Sequence, residues 1–347
     1  MEQMRRWFDE TALDSSAVLY SRVRLVRNWN QYPFPLRMTN EAGKEMVARL
    51  FQYTGYLQDA HGNPYQEGWL DQLSELERIG LKERHILNSS LLERKAPMGI
   101  MMSQDEKVSM IFNGTDHIRI QVIEPGLHLK EAFRQVDILD DKINEKISYA
   151  FDPKYGYLTS FPTNVGTGLR ALVVLHLPSL SKGKKFNNLI AEMGRFGTSV
   201  RGLNGEGSEN YGDLYVVSNQ KTLGQSEKEI IDVVNRVAFQ LVEQEKQVRE
   251  RFLEGHRLDC EDEIYKSYGV LKYARKLSMK EAMTYLSQIL MGVSEGILKW
   301  KEPYSIYSMM LGIQPANLKT LSDRPLDKTE LEEARARYIR EELPKLQ

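Results

Sequence analysis

Apolar and polar positions alternate across Val18–Arg27, with Arg22 and Arg24 on one side and Val23 and Leu25 on the other, the period of a half-buried strand. Val108–Phe112 and residues 117–122 repeat that signal, and the Asn113-Gly114 pair between them predicts an antiparallel hairpin. Carried along its second arm, the parity puts Thr115, His117, Arg119 and Gln121 on one face and Ile118, Ile120 and Val122 on the other. A further strand is predicted over residues 213–218, after a Gly-rich loop spanning 202–212.

Elsewhere the period lengthens to that of helices. Residues 40–53 read as one helix, and 68–84 as a second amphipathic stretch with Leu70, Leu73 and Leu76. A polar helix is expected over 129–149, and the loop Pro162-Thr163-Asn164-Val165-Gly166-Thr167-Gly168 opens a helix-like segment over 169–177. Residues 226–251 form one long amphipathic helix, with Ser226 and Glu229 spaced as a capping box and Ile230, Val233, Val234, Val237 and Leu241 as its apolar stripe. Beyond residue 252 the pattern is all-helical, including 278–298 and 329–343. Two domains are therefore expected, 15–251 and 252–347.

Composition narrows the function classes. The 347 residues are 41% hydrophobic and 27% charged, enough for a large core and a smaller second unit. The 47 basic residues nearly cancel the 48 acidic ones, so neither nucleic acid nor an anionic membrane is the expected partner, and any basic site must be local. Cys260, the sole cysteine, excludes an intrachain disulfide framework and a multi-cysteine metal cluster. No apolar run reaches the ~20 residues of a membrane span, and a cytoplasmic protein is expected.

Five arginines stand at the ends of polar strand faces or beside Gly-rich loops: Arg22, Arg24, Arg119, Arg170 and Arg201. Their planar forks of donors suit phosphate oxygens. Ser21-Arg22-Val23-Arg24, Asp116-His117-Ile118-Arg119, the Pro162 to Arg170 run and Arg201-Gly202-Leu203-Asn204-Gly205-Glu206 together resemble the ordered motif series of the guanidino kinases. That family includes creatine, arginine and bacterial protein arginine kinases, and the resemblance covers about residues 15–250. It implies an α+β fold, an antiparallel sheet flanked by helices, here followed by the smaller all-helical domain. It also implies ATP with Mg2+ as the phosphoryl donor and no side-chain metal site. By matching position, nucleotide binding would fall to Ser21, Arg22, Val23, Arg24, His85, Arg119, Arg170, Ala171, Leu172, Val173, Val174, Arg201, Gly202, Leu203, Asn204, Gly205 and Glu206. His85 would sit near the adenine or ribose, and Glu206 would be catalytic.

Creatine and arginine kinases carry about a hundred helical residues before the first arginine motif, whereas here that motif begins at Ser21. An uncovered site suits an arginine on another protein. The segment after 252 resembles the C-terminal part of protein arginine kinases, which implies a homodimer and links to an activator, a Clp-type protease or a heat-shock repressor. The family's phosphoarginine-binding motif survives only in its second half, as Ala334-Arg335-Ala336, and Arg335 reads as a solvated helix charge.

Two departures touch the chemistry. The family's Asn-Glu-Glu-Asp-His reads Asn113-Gly114-Thr115-Asp116-His117, so Thr115 stands where a catalytic carboxylate is expected, and strand parity turns Asp116 to the opposite face. Phe161 replaces a reactive cysteine. A guanidinium must lose a proton as its new bond forms, and a hydroxyl or phenyl group is a poor acceptor for it. Two readings follow: a protein arginine kinase working through Glu206, or an ATP-binding pseudokinase that acts by binding partners.

Overall fold

Alternation at the first strand sets the architecture. The structure, a computed structural model, describes residues 6–11, 16–203 and 210–347. In it β1 (Val18–Arg27) is followed by α1 (Asn40–Thr54), β2 (Gln66–Trp69), α2 (Glu75–Glu83), α3 (Ser89–Leu92), β3 (Gly99–Met102), β4 (Val108–Phe112) and β5 (Ile118–Pro125). Next come α4 (Leu129–Asn144), a small ribbon of β6 (Phe151–Asp152) and β7 (Gly156–Tyr157), β8 (Leu169–His176), α5 (Phe186–Gly194), β9 (Thr198–Gly202) and β10 (Leu214–Asn219). The remainder is α6 (Glu227–Tyr273), α7 (Met279–Ser294), α8 (Ile306–Gly312), α9 (Pro315–Thr320) and α10 (Lys328–Glu342). Among the described residues eight strands form one sheet in the order β2-β3-β4-β5-β1-β8-β10-β9, and every pairing in it is antiparallel.

One face of the sheet carries Val23, Leu25, Ile118, Ile120, Ala171 and Val173, which pack beneath α1, α4, α5 and the first half of α6. The other face is covered in two places. The C-terminal helices lie on Tyr20, Ile123, Leu172, Val174, Leu214 and Val216. The α2–α3 region lies on Ile100 and Ile111. What these two clusters leave uncovered is polar. No helix among the described residues is long and apolar enough to cross a membrane.

Four expectations change. Residues 169–177 form β8 and not a helix, because a central strand buried on both faces reads as an unbroken apolar run in which period says little. The 68–84 stretch divides into the end of β2, a 3-10 turn at Leu70–Gln72, and α2, which starts at its Ser74–Glu77 capping box. The hairpin loop is longer than Asn113-Gly114: Asn113 adopts φ +57° and its N–H donates to the His117 carbonyl, so Thr115 lies in the turn and outside β5. Finally α6 continues past residue 251 to Tyr273, bending at His256. Its first half feeds the sheet core through Val234 and Leu241, and its second half feeds the C-terminal core through Ile264 and Leu271.

Arg27 locks the end of β1. Its Nε and Nη2 donate to Asp140 Oδ2 at 3.0 and 2.7 Å, and its Nη1 donates to the Val26 and Thr167 carbonyls at 3.0 and 2.9 Å. The Tyr157 ring lies 3.6 Å from its guanidinium carbon. The loop entering β8 is thus pressed onto β1, and Gly168 (φ +65°) has no room for a β-carbon, which would meet the Val26 carbonyl at 2.6 Å. His117 closes the neighbouring corner. Its Nδ1 accepts from the Trp29 N–H at 2.9 Å, which leaves Nε2 to donate to the Pro33 carbonyl at 2.9 Å.

Arg27→Met leaves the buried Asp140 carboxylate unpaired and is expected to cost about 3–5 kcal/mol, read from urea unfolding; a loss below about 1 kcal/mol refutes this role. Burial pushes the His117 imidazole down to about 4, against 6.5 for the free group. Between those values the unfolded chain binds the extra proton, so this contribution to stability is full above pH 6.5 and fades as pH falls toward 4. Thermal melts of His117→Gln should show a shallower loss over that range than the parent; parallel curves would contradict it.

Candidate active site

The uncovered part of the sheet is a field of guanidinium groups. Register puts Arg24 directly opposite Arg170 on β8 and opposite Gln121 on β5. Arg119 pairs with Val26, Arg22 with Leu172, and Arg201 with Val216, so all five arginines project from one face. Like charges opposite one another oppose folding. Among the described residues none of the five lies within ion-pair distance of a carboxylate.

The hydrogen bonds that Arg22, Arg119 and Arg170 make with described residues are to neutral groups. Arg119 Nη2 donates to Gln121 Oε1 at 2.6 Å, Arg22 Nη1 to the His85 carbonyl at 3.4 Å, and Arg170 Nη1 to the Asn219 carbonyl. Arg119 Nε and Nη1 and Arg24 Nε are buried with no partner among the described residues. Burial, and then Arg22 and Arg170, push the Arg24 guanidinium down to about 10, while Asp116 opposes the shift. Burial and the charges of Arg24 and Arg22 hold Arg119 well below its usual range. A face this rich in unanswered positive charge is built for a polyanion.

His85 sits after α2 with φ +67°. Its carbonyl points at the arginines, accepting from Gln121 Nε2 at 2.9 Å as well as from Arg22. Its ring points the other way, with Nε2 hydrogen-bonded to the Tyr307 hydroxyl at 2.8 Å, and burial followed by Arg22 pushes the imidazole down to about 3. The ring lines a cavity of about 390 Å3 together with Leu203, Leu214, Met283, Tyr307 and Met310.

Several sequence-predicted site residues are elsewhere. The Ser21 hydroxyl donates to the Gly126 carbonyl at 2.7 Å and accepts from the His128 N–H at 2.9 Å, so it fastens the start of α4. Val23, Ala171 and Val173 belong to the helical core on the opposite face, because strand alternation sends every second side chain there. Leu172 and Val174 share the arginine side but are packed under the C-terminal helices. Gly202 ends β9 and Leu203 reaches the cavity. Asn204, Gly205 and Glu206 lie outside the described residues. Arg335 is not a solvated charge: it is buried, donating from Nε to the Ile313 carbonyl at 3.2 Å and from Nη1 to the Leu277 carbonyl at 3.0 Å.

Sequence parity set Asp116 aside, yet β5 begins only at Ile118 and the parity does not reach it. Asp116 Oδ1 accepts from Asn28 Nδ2 at 2.8 Å and from the Ser160 N–H at 2.7 Å, while Oδ2 is buried without a partner among the described residues. Phe161, next to Ser160, is 49% exposed. The useful signal was the long turn itself, since a loop residue next to His117 can aim either way.

The comparisons with known proteins agree with this geometry. Residues 48–248 match the ATP:guanido phosphotransferase C-terminal catalytic domain, and 257–347 match the protein-arginine kinase McsB C-terminal domain. The protein-arginine kinase of Halalkalibacterium halodurans is 39% identical over 99% of this chain and 96% of its own length. That of Bacillus subtilis is 38% identical, covering 99% of this chain and 94% of its own. Among solved structures, a lombricine kinase shares the fold with TM-score 0.59 and 22% identity over 72% of each chain. The substrate-free duplicated taurocyamine kinase of Schistosoma mansoni also has TM-score 0.59, at 20% identity, covering 99% of this chain and 47% of its own. An antiparallel sheet with a bare arginine face, joined to a helical C-terminal unit that matches its own family model, places this chain in the ATP:guanido phosphotransferase family, on the protein-arginine kinase branch.

Proposed function

We propose that this chain transfers the γ-phosphoryl group of MgATP to the guanidinium of an arginine in another protein. The observation that carries the reading is the face of five arginines with no carboxylate partner among the described residues. Phosphoryl transfer passes through a loose, charge-rich transition state, so positioning and electrostatic stabilisation do most of the catalysis. Arg22, Arg24, Arg119, Arg170 and Arg201 would hold the triphosphate, with the base turned toward the cavity beside His85. Among the described residues no cluster of His, Cys, Asp or Glu could hold a metal ion, and magnesium arrives as part of the MgATP substrate, bound mainly by phosphate oxygens and water.

The acceptor guanidinium needs a carboxylate to orient it and take its proton. Glu206 is assigned that role by its place in the family motif, and Asp116 adds a fixed negative charge beside Arg24. In this reading residues 15–251 are the catalytic domain and 252–347 the helical one, with α6 crossing between them. The partners are cytoplasmic proteins with exposed arginines, and the resemblance adds a homodimer, an activator and a Clp-type protease or heat-shock repressor. A second reading, a nucleotide-binding regulator without turnover, rests on Thr115 and Phe161, neither of which supplies the charge of the groups they replace.

Incubation with MgATP and an unfolded arginine-rich protein is expected to give acid-labile phosphoarginine, detected by phosphorus NMR and mass spectrometry. Glu206→Gln should lower the rate by about 10²–10⁴-fold. Nucleotide binding without any product establishes the regulator instead. Arg119→Met removes a buried, unpaired charge from the cluster. It should stabilise the nucleotide-free protein by roughly 1–2 kcal/mol while weakening MgATP binding by about tenfold or more, in paired denaturation and calorimetric titrations. A stability gain with unchanged MgATP affinity removes Arg119 from the phosphate site.

A further inference from the structure

The Tyr307 hydroxyl belongs to α8 in the C-terminal unit and meets a chain of hydrogen bonds that ends among the arginines. It bonds His85 Nε2 at 2.8 Å. The carbonyl of that residue receives Arg22 Nη1 at 3.4 Å and Gln121 Nε2 at 2.9 Å, and Gln121 Oε1 receives Arg119 Nη2 at 2.6 Å. Tyr20, on β1, packs on both rings, with centroids 5.4 Å from His85 and 5.9 Å from Tyr307. We infer that Tyr307 is a positioning residue for the phosphate site: the C-terminal unit holds Arg22 and Arg119 in place through the backbone of His85.

The physical reason lies in the conformation of His85. At φ +67° the residue occupies the left-handed region, which a side chain with a β-carbon disfavours, so it stays there only while its surroundings hold it. Its ring is held by Tyr307 and its carbonyl by two side chains of the arginine face. Releasing the ring lets the backbone relax, and the shared acceptor of Arg22 and Gln121 moves with it. Arg119 has no other hydrogen-bond partner than Gln121 among the described residues, so its aim depends on that acceptor. Two guanidinium groups are thereby tied to a helix that comes far later in the chain than either of them.

A second buried link between the two units serves as the comparison. Ser287, on α7, bonds His176 Nε2 at 2.9 Å and donates to Asp213 Oδ2 at 2.9 Å, joining α7 to β8 and the start of β10 without touching the arginines. If Tyr307 acted only by fastening the units together, losing either hydroxyl would have the same effect on nucleotide binding.

The inference rests on the arginines holding ATP phosphates, and the experiment separates the two claims. MgATP and magnesium tripolyphosphate are titrated calorimetrically into the full-length protein and its Tyr307→Phe and Ser287→Ala variants, alongside thermal melts. Tripolyphosphate has neither base nor sugar to meet the cavity that Tyr307 also lines. Tyr307→Phe is expected to weaken both ligands by the same factor, about tenfold, while Ser287→Ala lowers the melting temperature and leaves both affinities within twofold. Unchanged affinities in Tyr307→Phe overturn the inference and leave the phosphate reading standing. Loss confined to MgATP overturns it in favour of direct contact with the nucleoside, and equal losses in both variants overturn it in favour of general loosening. A parent protein that binds neither ligand overturns the phosphate reading, and this inference with it.

Discussion

Mutual repulsion among arginines on one sheet face is the constraint around which the molecule is arranged. Arg24 faces Arg170 across a strand pair, and Arg22 and Arg119 bear on Arg24 and on each other. Such a cluster opposes folding unless the scaffold that carries it is stable for other reasons. Here the same strands supply that stability from their opposite side, where Val23, Ile120 and Ala171 pack under α1, α4 and α6. Rigidity and charge are therefore two faces of one sheet, and the guanidinium groups stay preorganised because the strands beneath them cannot yield.

The C-terminal helices extend this arrangement beyond a neighbouring domain's usual role. They cover the apolar end of the arginine face through Leu172, Val174 and Val216, so the arginine face is bounded on one side by residues that follow all five arginines in the chain. The two units share α6, whose halves feed different cores, and a buried ion pair on that helix, Arg249 with Glu245 at 2.8 Å, reaches Glu295 after α7 at 2.9 Å. Glu83 reinforces the opposite corner by accepting from the Ala316 and Asn317 N–H groups at the start of α9. A change in the helical unit has several routes to the arginine face.

Among the described residues the acceptor side of the proposed site offers fewer charged groups than the phosphate side. Thr115 occupies a turn, Phe161 offers an exposed ring, and Asp116, which bears electrostatically on Arg24, is pinned by Asn28 and the Ser160 amide. A carboxylate held on one oxygen and without a partner on the other among the described residues is costly to bury, and the charge of Arg24 offsets part of that cost.

Alternation in β1 and β4–β5, the helix at α1, the capping box of α6, and the spacing of the arginine motifs were all legible in the chain itself, because each is a local pattern that needs no partner to be recognised. The nature of β8 was not, since a strand buried on both sides loses the period that would distinguish it from a helix, and with it went the facing of Ala171 and Val173. Nor could Ser21, Asp116 or Arg335 be placed, as the direction of a loop or strand-end side chain depends on which distant backbone groups come within hydrogen-bond reach. Sequence determined which residues carry the charge; only the tertiary structure decided that five of them share one face unneutralised by any described carboxylate, because strand register is set by packing between segments far apart in the chain.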